Sequence, residues 1–117
     1  MFLSILNVTR QKTVATRVRV ASSIKDRSIG LLGTSGLEAE EGLWLSPCRA
    51  IHMFGMRYPI DALWIDASGT VLKTAAMRPW QVSGVAWQAK GVLEVAQGRI
   101  QASETQVGDR LEFKEVY

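Results

Sequence analysis

The one cysteine and the one histidine of this chain stand four residues apart, as Cys48 and His52, and Met53, Met56, Arg57 and Asp61 follow closely. Thiolate, imidazole and thioether together are the soft set that holds a cuprous ion. A zinc site would need two more ligands, drawn from carboxylates, beyond one cysteine and one histidine. The set is incomplete by either standard, so neither a metal nor a cofactor is expected. A cysteine nucleophile would need His52 beside Cys48. On a regular strand those positions lie about 13 Å apart along the backbone. The thiol and the two methionines are therefore read first as packing groups.

Two carboxylates carry more weight. Asp61 stands in Pro59-Ile-Asp-Ala-Leu-Trp64 and Glu94 in Val92-Leu-Glu-Val-Ala96, each inside an apolar run. A carboxylate turned inward from such a run must be paired or protonated, because an unpaired buried charge costs several kcal/mol. His52, Arg57 and the backbone donors of nearby turns are the candidate partners. A histidine–carboxylate pair, His52–Asp61 or His52–Glu94, could move protons, and the same groups could instead form a structural network. Trp80, after Pro79, and Trp87 are loop tryptophans that could line a cleft or plug the end of a barrel. The candidate binding residues are thus His52, Met56, Arg57, Asp61, Trp80 and Glu94.

These side chains need a scaffold, and 117 residues with 47% apolar and 21% charged content suit one domain spanning 1–117. A lone cysteine forms no internal disulfide and suits a reducing compartment. No segment approaches the roughly 20 apolar residues of a membrane span, and Met1–Leu6 is too short an apolar run for a signal-peptide core. A cytoplasmic location is expected. The first 30 residues hold Arg10, Lys12, Arg17, Arg19, Lys25 and Arg27 against Asp26 alone. No aromatic residues interleave with these charges, so they read as a solvated face and not as a nucleic-acid surface.

The elements follow from periodicity. Leu3–Val8 reads as a strand, Thr9–Lys12 as a turn, and Val14, Thr16, Val18 and Val20 as the inward side of a second strand. Ser23 and Asp26 have capping-box spacing and open a helix, with Ile24, Ile29, Leu31 and Leu32 on its buried side and Gly33 ending it. Gly42–Ser46, Ala50–Phe54, Ile60–Ile65, Thr70–Ala75, Val92–Val95 and Arg110–Val116 read as strands. Asp66–Gly69 is a hairpin turn, and Ile100–Thr105 a short helix. The pattern predicts a mainly β (α+β) fold, a β-barrel or β-sandwich of short, mostly antiparallel strands with one or two small helices.

The order and spacing of Arg27–Gly33, Glu41–Leu45, Ile51–Met56 with Ile60-Asp61, Asp66–Val71, Val92–Gly98 and Gly108-Asp109 resemble the domain-of-unknown-function 192 family. This is a set of small, uncharacterised bacterial and archaeal proteins, and the match covers about residues 12–113. The resemblance implies a predominantly β barrel or sandwich and no established activity. Gln97 departs from the small residue often found there in the family, which concerns a turn.

Two functions of different class remain. One is a binding module for a small molecule or peptide in a cleft lined by His52, Arg57, Asp61 and Glu94. The other is an enzyme using a His–carboxylate pair as acid and base. No complete catalytic constellation is present, so the binding module is preferred. A purely structural or interaction domain is the third alternative.

Overall fold

The structure is a computed structural model and describes residues 1–116. Seven strands form one sheet: β1 (Phe2–Asn7), β2 (Lys12–Ala21), β3 (Glu41–Leu45), β4 (Ile60–Ile65), β5 (Val71–Met77), β6 (Gly91–Ala96) and β7 (Leu111–Val116). Two short helices accompany them, α1 (Ile24–Ile29) and α2 (Arg99–Ala102). The spatial order is β5-β4-β6-β3-β2-β1-β7. Every pair is antiparallel except β2–β3, whose parallel register is made possible by the crossover through α1.

The expected mainly β fold is present, but the sheet is not closed into a barrel. Its two edge strands approach only where β5 and β7 begin. A Thr70–Arg110 bridge and hydrogen bonds from Val71 N to Asp109 O (2.8 Å) and Leu111 N to Gly69 O (2.8 Å) join them there. Gly69 is required at this seam: it has φ +89°, and a Cβ would stand 2.5 Å from Leu111 O.

Central strands read as continuous apolar runs because both sheet faces are covered. All of β4 is buried, as is β6 as far as Val95. Period-2 alternation sorts their side chains into two cores. Ile60, Ala62, Trp64 and Val92 pack with Leu43, Leu45, Met53 and Met56 on one face. Leu63, Ile65, Leu93 and Val95 pack with Ile5, Val14, Val18 and Leu111 on the other. Gly91 lets β3 and β6 close up, since a Cβ there would meet Leu45 O at 2.5 Å and the Trp44 ring at 2.6 Å.

Three expectations need correction. Residues Ala50–Phe54 do not form a strand; they make a single bridge, His52 to Val82, and turn at Gly55, φ +79°. The helix ends at Ile29, because Gly30 adopts φ +50° and caps it, so Gly33 lies beyond its end. It buries none of its residues; only Leu31, in the turn after it, reaches the core, while Ile24, Ile29 and Leu32 are exposed. In β2 the alternation slips: Val14 and Ala15 are both buried and Thr16 is exposed. Register shifts in the β1 ladder around Ile5 accompany the slip, and a one-residue shift turns side chains to the opposite face.

Candidate functional site

β6 places Glu94 on the first face, in register with Leu43 of β3 and Ala62 of β4. Both neighbours are apolar and fully buried, and Glu94 itself is only 6% exposed. No described residue donates a hydrogen bond to its carboxylate. Burial alone pushes this carboxyl up to about 7.

A cavity of about 290 Å³ opens over this carboxylate, walled by the α1 segment on one side and by residues 47–56 on the other. The second wall is irregular backbone zipped to residues 80–90. Met53 N donates to Gln81 O (2.7 Å), Ser83 N to Ile51 O (2.9 Å), Ala86 N to Arg49 O (2.9 Å) and Cys48 N to Lys90 O (3.2 Å). From beneath, the Trp64 indole donates to Arg49 O at 3.0 Å. The α1 wall is tied to the other wall by Arg27 Nη1, which donates to Pro47 O at 2.8 Å. Arg27 Nε is buried and finds no partner.

Of the six expected binding residues, the fold brings Glu94, His52 and Met56 to this cavity. Asp61 faces the other way: its Oδ2 accepts from Gly98 N (3.1 Å) and Ile100 N (2.9 Å) and holds the start of α2. Arg57 is exposed and does not line the cavity. Trp80 is 68% exposed with φ +72°. It neither lines the cavity nor plugs an end of the sheet, and Trp87, 75% exposed, does neither as well. Trp80 does continue a shelf from the rim, tilted against Phe54 (centroids 6.0 Å), which stacks on His52 (4.9 Å).

Neither expected His–carboxylate pair is hydrogen-bonded among the described residues. His52 Nδ1 instead accepts from Phe54 N at 3.2 Å. Cys48 lines the same cavity, and its Sγ donates to Ala50 O at 3.2 Å. Burial, chiefly, pushes its thiol up, which disfavours the thiolate form. No cluster of three or more histidine, cysteine or carboxylate side chains suited to a metal occurs among the described residues. Sequence reasoning misses Arg27 and Cys48 as cavity residues. Arg27 reads there as part of the solvated basic face, and its one signal is its place in the helix segment that carries the family resemblance.

The class defined by this fold and site is a small, mainly β domain with a carboxylate-floored cavity under its crossover helix. The chain belongs to the DUF192 family, described as "Uncharacterized ACR", which matches residues 6–113. It is similar to a UPF0127 protein of Pyrococcus furiosus, 27% identical over 113 residues, covering 92% of this chain and 96% of the relative. A UPF0127 protein of Thermococcus sibiricus is 29% identical over 114 residues, covering 94% and 74%. Two crystal structures share the fold at 20% identity. A protein of unknown function from Novosphingobium aromaticivorans has TM-score 0.80, covering 94% of this chain and 82% of its own. A Sinorhizobium meliloti protein described as a "putative transcription regulator" has TM-score 0.81, covering 95% and 91%. No helix among the described residues is long and apolar enough to cross a membrane.

Proposed function

We propose that this protein is a binding module that takes a small molecule or a short peptide segment into the cavity beside α1, with Glu94 as its polar anchor. The observation that carries this reading is the Glu94 carboxylate, buried, facing a cavity and without a donor. A buried polar group without a partner is costly in the free protein, and a ligand that supplies the donor recovers that cost. His52 stands at the rim, Met56 is part of the apolar lining, and the Phe54–Trp80 shelf extends the contact surface outward. An acid–base enzyme is the lesser reading, because His52 Nδ1 is occupied by a backbone amide and no carboxylate of the described residues engages the ring. The lone cysteine, which has no internal disulfide partner, suits a cytoplasmic setting.

A nucleic-acid partner is disfavoured by where the basic side chains go. Arg10 pairs with Asp109 (2.9 Å) and Lys12 with Glu104 (3.3 Å), while Arg17 sits over the Phe2 ring at 5.3 Å. Arg19 and Arg27 donate to backbone carbonyls. The test of the binding reading is a thermal-shift screen of a broad metabolite and peptide library on the wild type and on Glu94→Gln. Ligands should raise the melting temperature of the wild type and leave the variant unmoved. Equal shifts in both proteins, or no shift across the library, would overturn the reading.

A further inference from the structure

Two groups of opposite charge line the cavity. On its floor is the Glu94 carboxylate, for which no donor exists among the described residues. On its α1 wall is the Arg27 guanidinium, anchored through Nη1 to Pro47 O and left with a buried, unpartnered Nε–H. They do not satisfy one another, yet both line the same cavity as Cys48. Burial dominates that thiol's upward shift, the hydrogen bond to Ala50 O opposes it, and smaller effects come from Glu94 in the upward direction and Arg27 in the downward one. The other ionisable groups around the cavity are Arg49 and His52 on the rim, with Tyr58 close enough to feel Glu94. Between the charged groups the lining is apolar: Leu31, Ile51, Met53 and Met56.

An occupant complementary to both groups carries a positive donor and a negative acceptor within one small molecule, plus an apolar arm. At about 290 Å³ the space is at the low end for ligand pockets and suits a compound of amino-acid size. We propose that the ligand is a small zwitterion of the α-amino-acid class with an apolar side chain. Its ammonium meets Glu94, its carboxylate meets Arg27, and its side chain packs on Met53 and Met56. This rests on the binding-module reading and names the ligand class of that same cavity.

The test compares L-leucine with its two half-analogues, 3-methylbutylamine and 4-methylpentanoate, by calorimetry and amide chemical shifts on the full chain. Leucine should bind at least roughly tenfold more tightly than either half-analogue. That binding should be lost in both Glu94→Gln and Arg27→Gln, with each variant's melting transition and shift dispersion retained as the check on folding. An amine that binds as well as leucine makes the cavity a simple cation site and overturns the proposal. An acid that does so makes it an anion site and overturns the proposal equally. Absence of binding by all three also overturns it. A Glu94-dependent ligand of another class in the thermal-shift screen would then leave the binding module standing while the zwitterion falls.

Discussion

Asp61 and Glu94 sit on the paired strands β4 and β6, one register step apart, yet their carboxylates leave the sheet through opposite faces. The ladder pairs Ala62 with Glu94 and Asp61 with Val95. Since alternate residues point to opposite sides, that single step sends Asp61 to α2 and Glu94 to the cavity. Asp61 receives two backbone N–H donors and Glu94 receives none. Two carboxylates that look alike in sequence therefore have different surroundings.

Glu94 should make stability depend on pH in the unusual sense for a carboxylate. Its folded value, about 7, lies above the ordinary 4.5, so the native state holds the proton more tightly. Stability is then greatest below about pH 4.5 as far as this group is concerned, and falls as pH rises towards 7. The shift corresponds to about 3 kcal/mol as an upper figure. Glu94→Gln should raise the melting temperature at pH 8 and change it little at pH 4.5; a uniform effect at both would contradict the assignment.

Asp61→Ala should cost about 1–2 kcal/mol by removing the acceptor for the first amides of α2. Urea denaturation measures the loss, and hydrogen exchange should quicken at Gly98 and Ile100. Because Asp61 is on the far face, ligands of the Glu94 cavity should bind the variant as they bind the wild type.

Acid unfolding should have a contribution from Asp109. Its hydrogen bond from Arg10, aided by bonds from Asn7 and Gln106 N, holds the carboxyl down at about 2, below its ordinary 3.8. A depressed value stabilises the fold above about pH 4, and that contribution is lost as pH falls through 2. Asp109→Asn should flatten this limb of the stability–pH curve, which melts recorded between pH 5 and 2 would reveal.

Cys48 should alkylate slowly. Burial, chiefly, holds the thiol above its ordinary value, and only the thiolate reacts. Iodoacetamide at pH 7 should modify it more slowly than a cysteine in a short unstructured peptide, and a faster rate would contradict the protonated thiol described above.

Trp64 anchors the cavity wall from below, fully buried and donating to Arg49 O. Trp64→Phe should cost about 1–3 kcal/mol, from a lost buried hydrogen bond and a reduced fill. Denaturant titration gives that figure, and faster exchange of the Ala86 amide would locate the damage in the wall.

Most strands are legible in the sequence because the signals that mark them are local. Alternation or an unbroken apolar run marks β1, β3, β4 and β6, and Asp66-Ala-Ser-Gly69 has the chemistry of a tight turn. Its aspartate accepts from Ser68 N and Thr70 N at 2.9 Å each, as such turns require. The Ser23 cap is equally readable, with its hydroxyl accepting from Asp26 N at 3.0 Å. Ala50–Phe54 misleads because its apolar residues pack against neighbours in an irregular loop, and composition alone does not separate that from a strand.

The sequence by itself determined which groups would be chemically awkward: carboxylates at 61 and 94 inside apolar runs, and a histidine, thiol and methionines gathered around 48–56. Only the tertiary structure decided how each is resolved. Burial and partnering depend on strand register, on which face a neighbouring helix covers, and on contacts between residues far apart in the chain. Arg27 meets Pro47 across twenty positions, and Asp61 meets Ile100 across thirty-nine. Those separations, which local patterning does not encode, left Asp61 satisfied and Glu94 facing an open cavity.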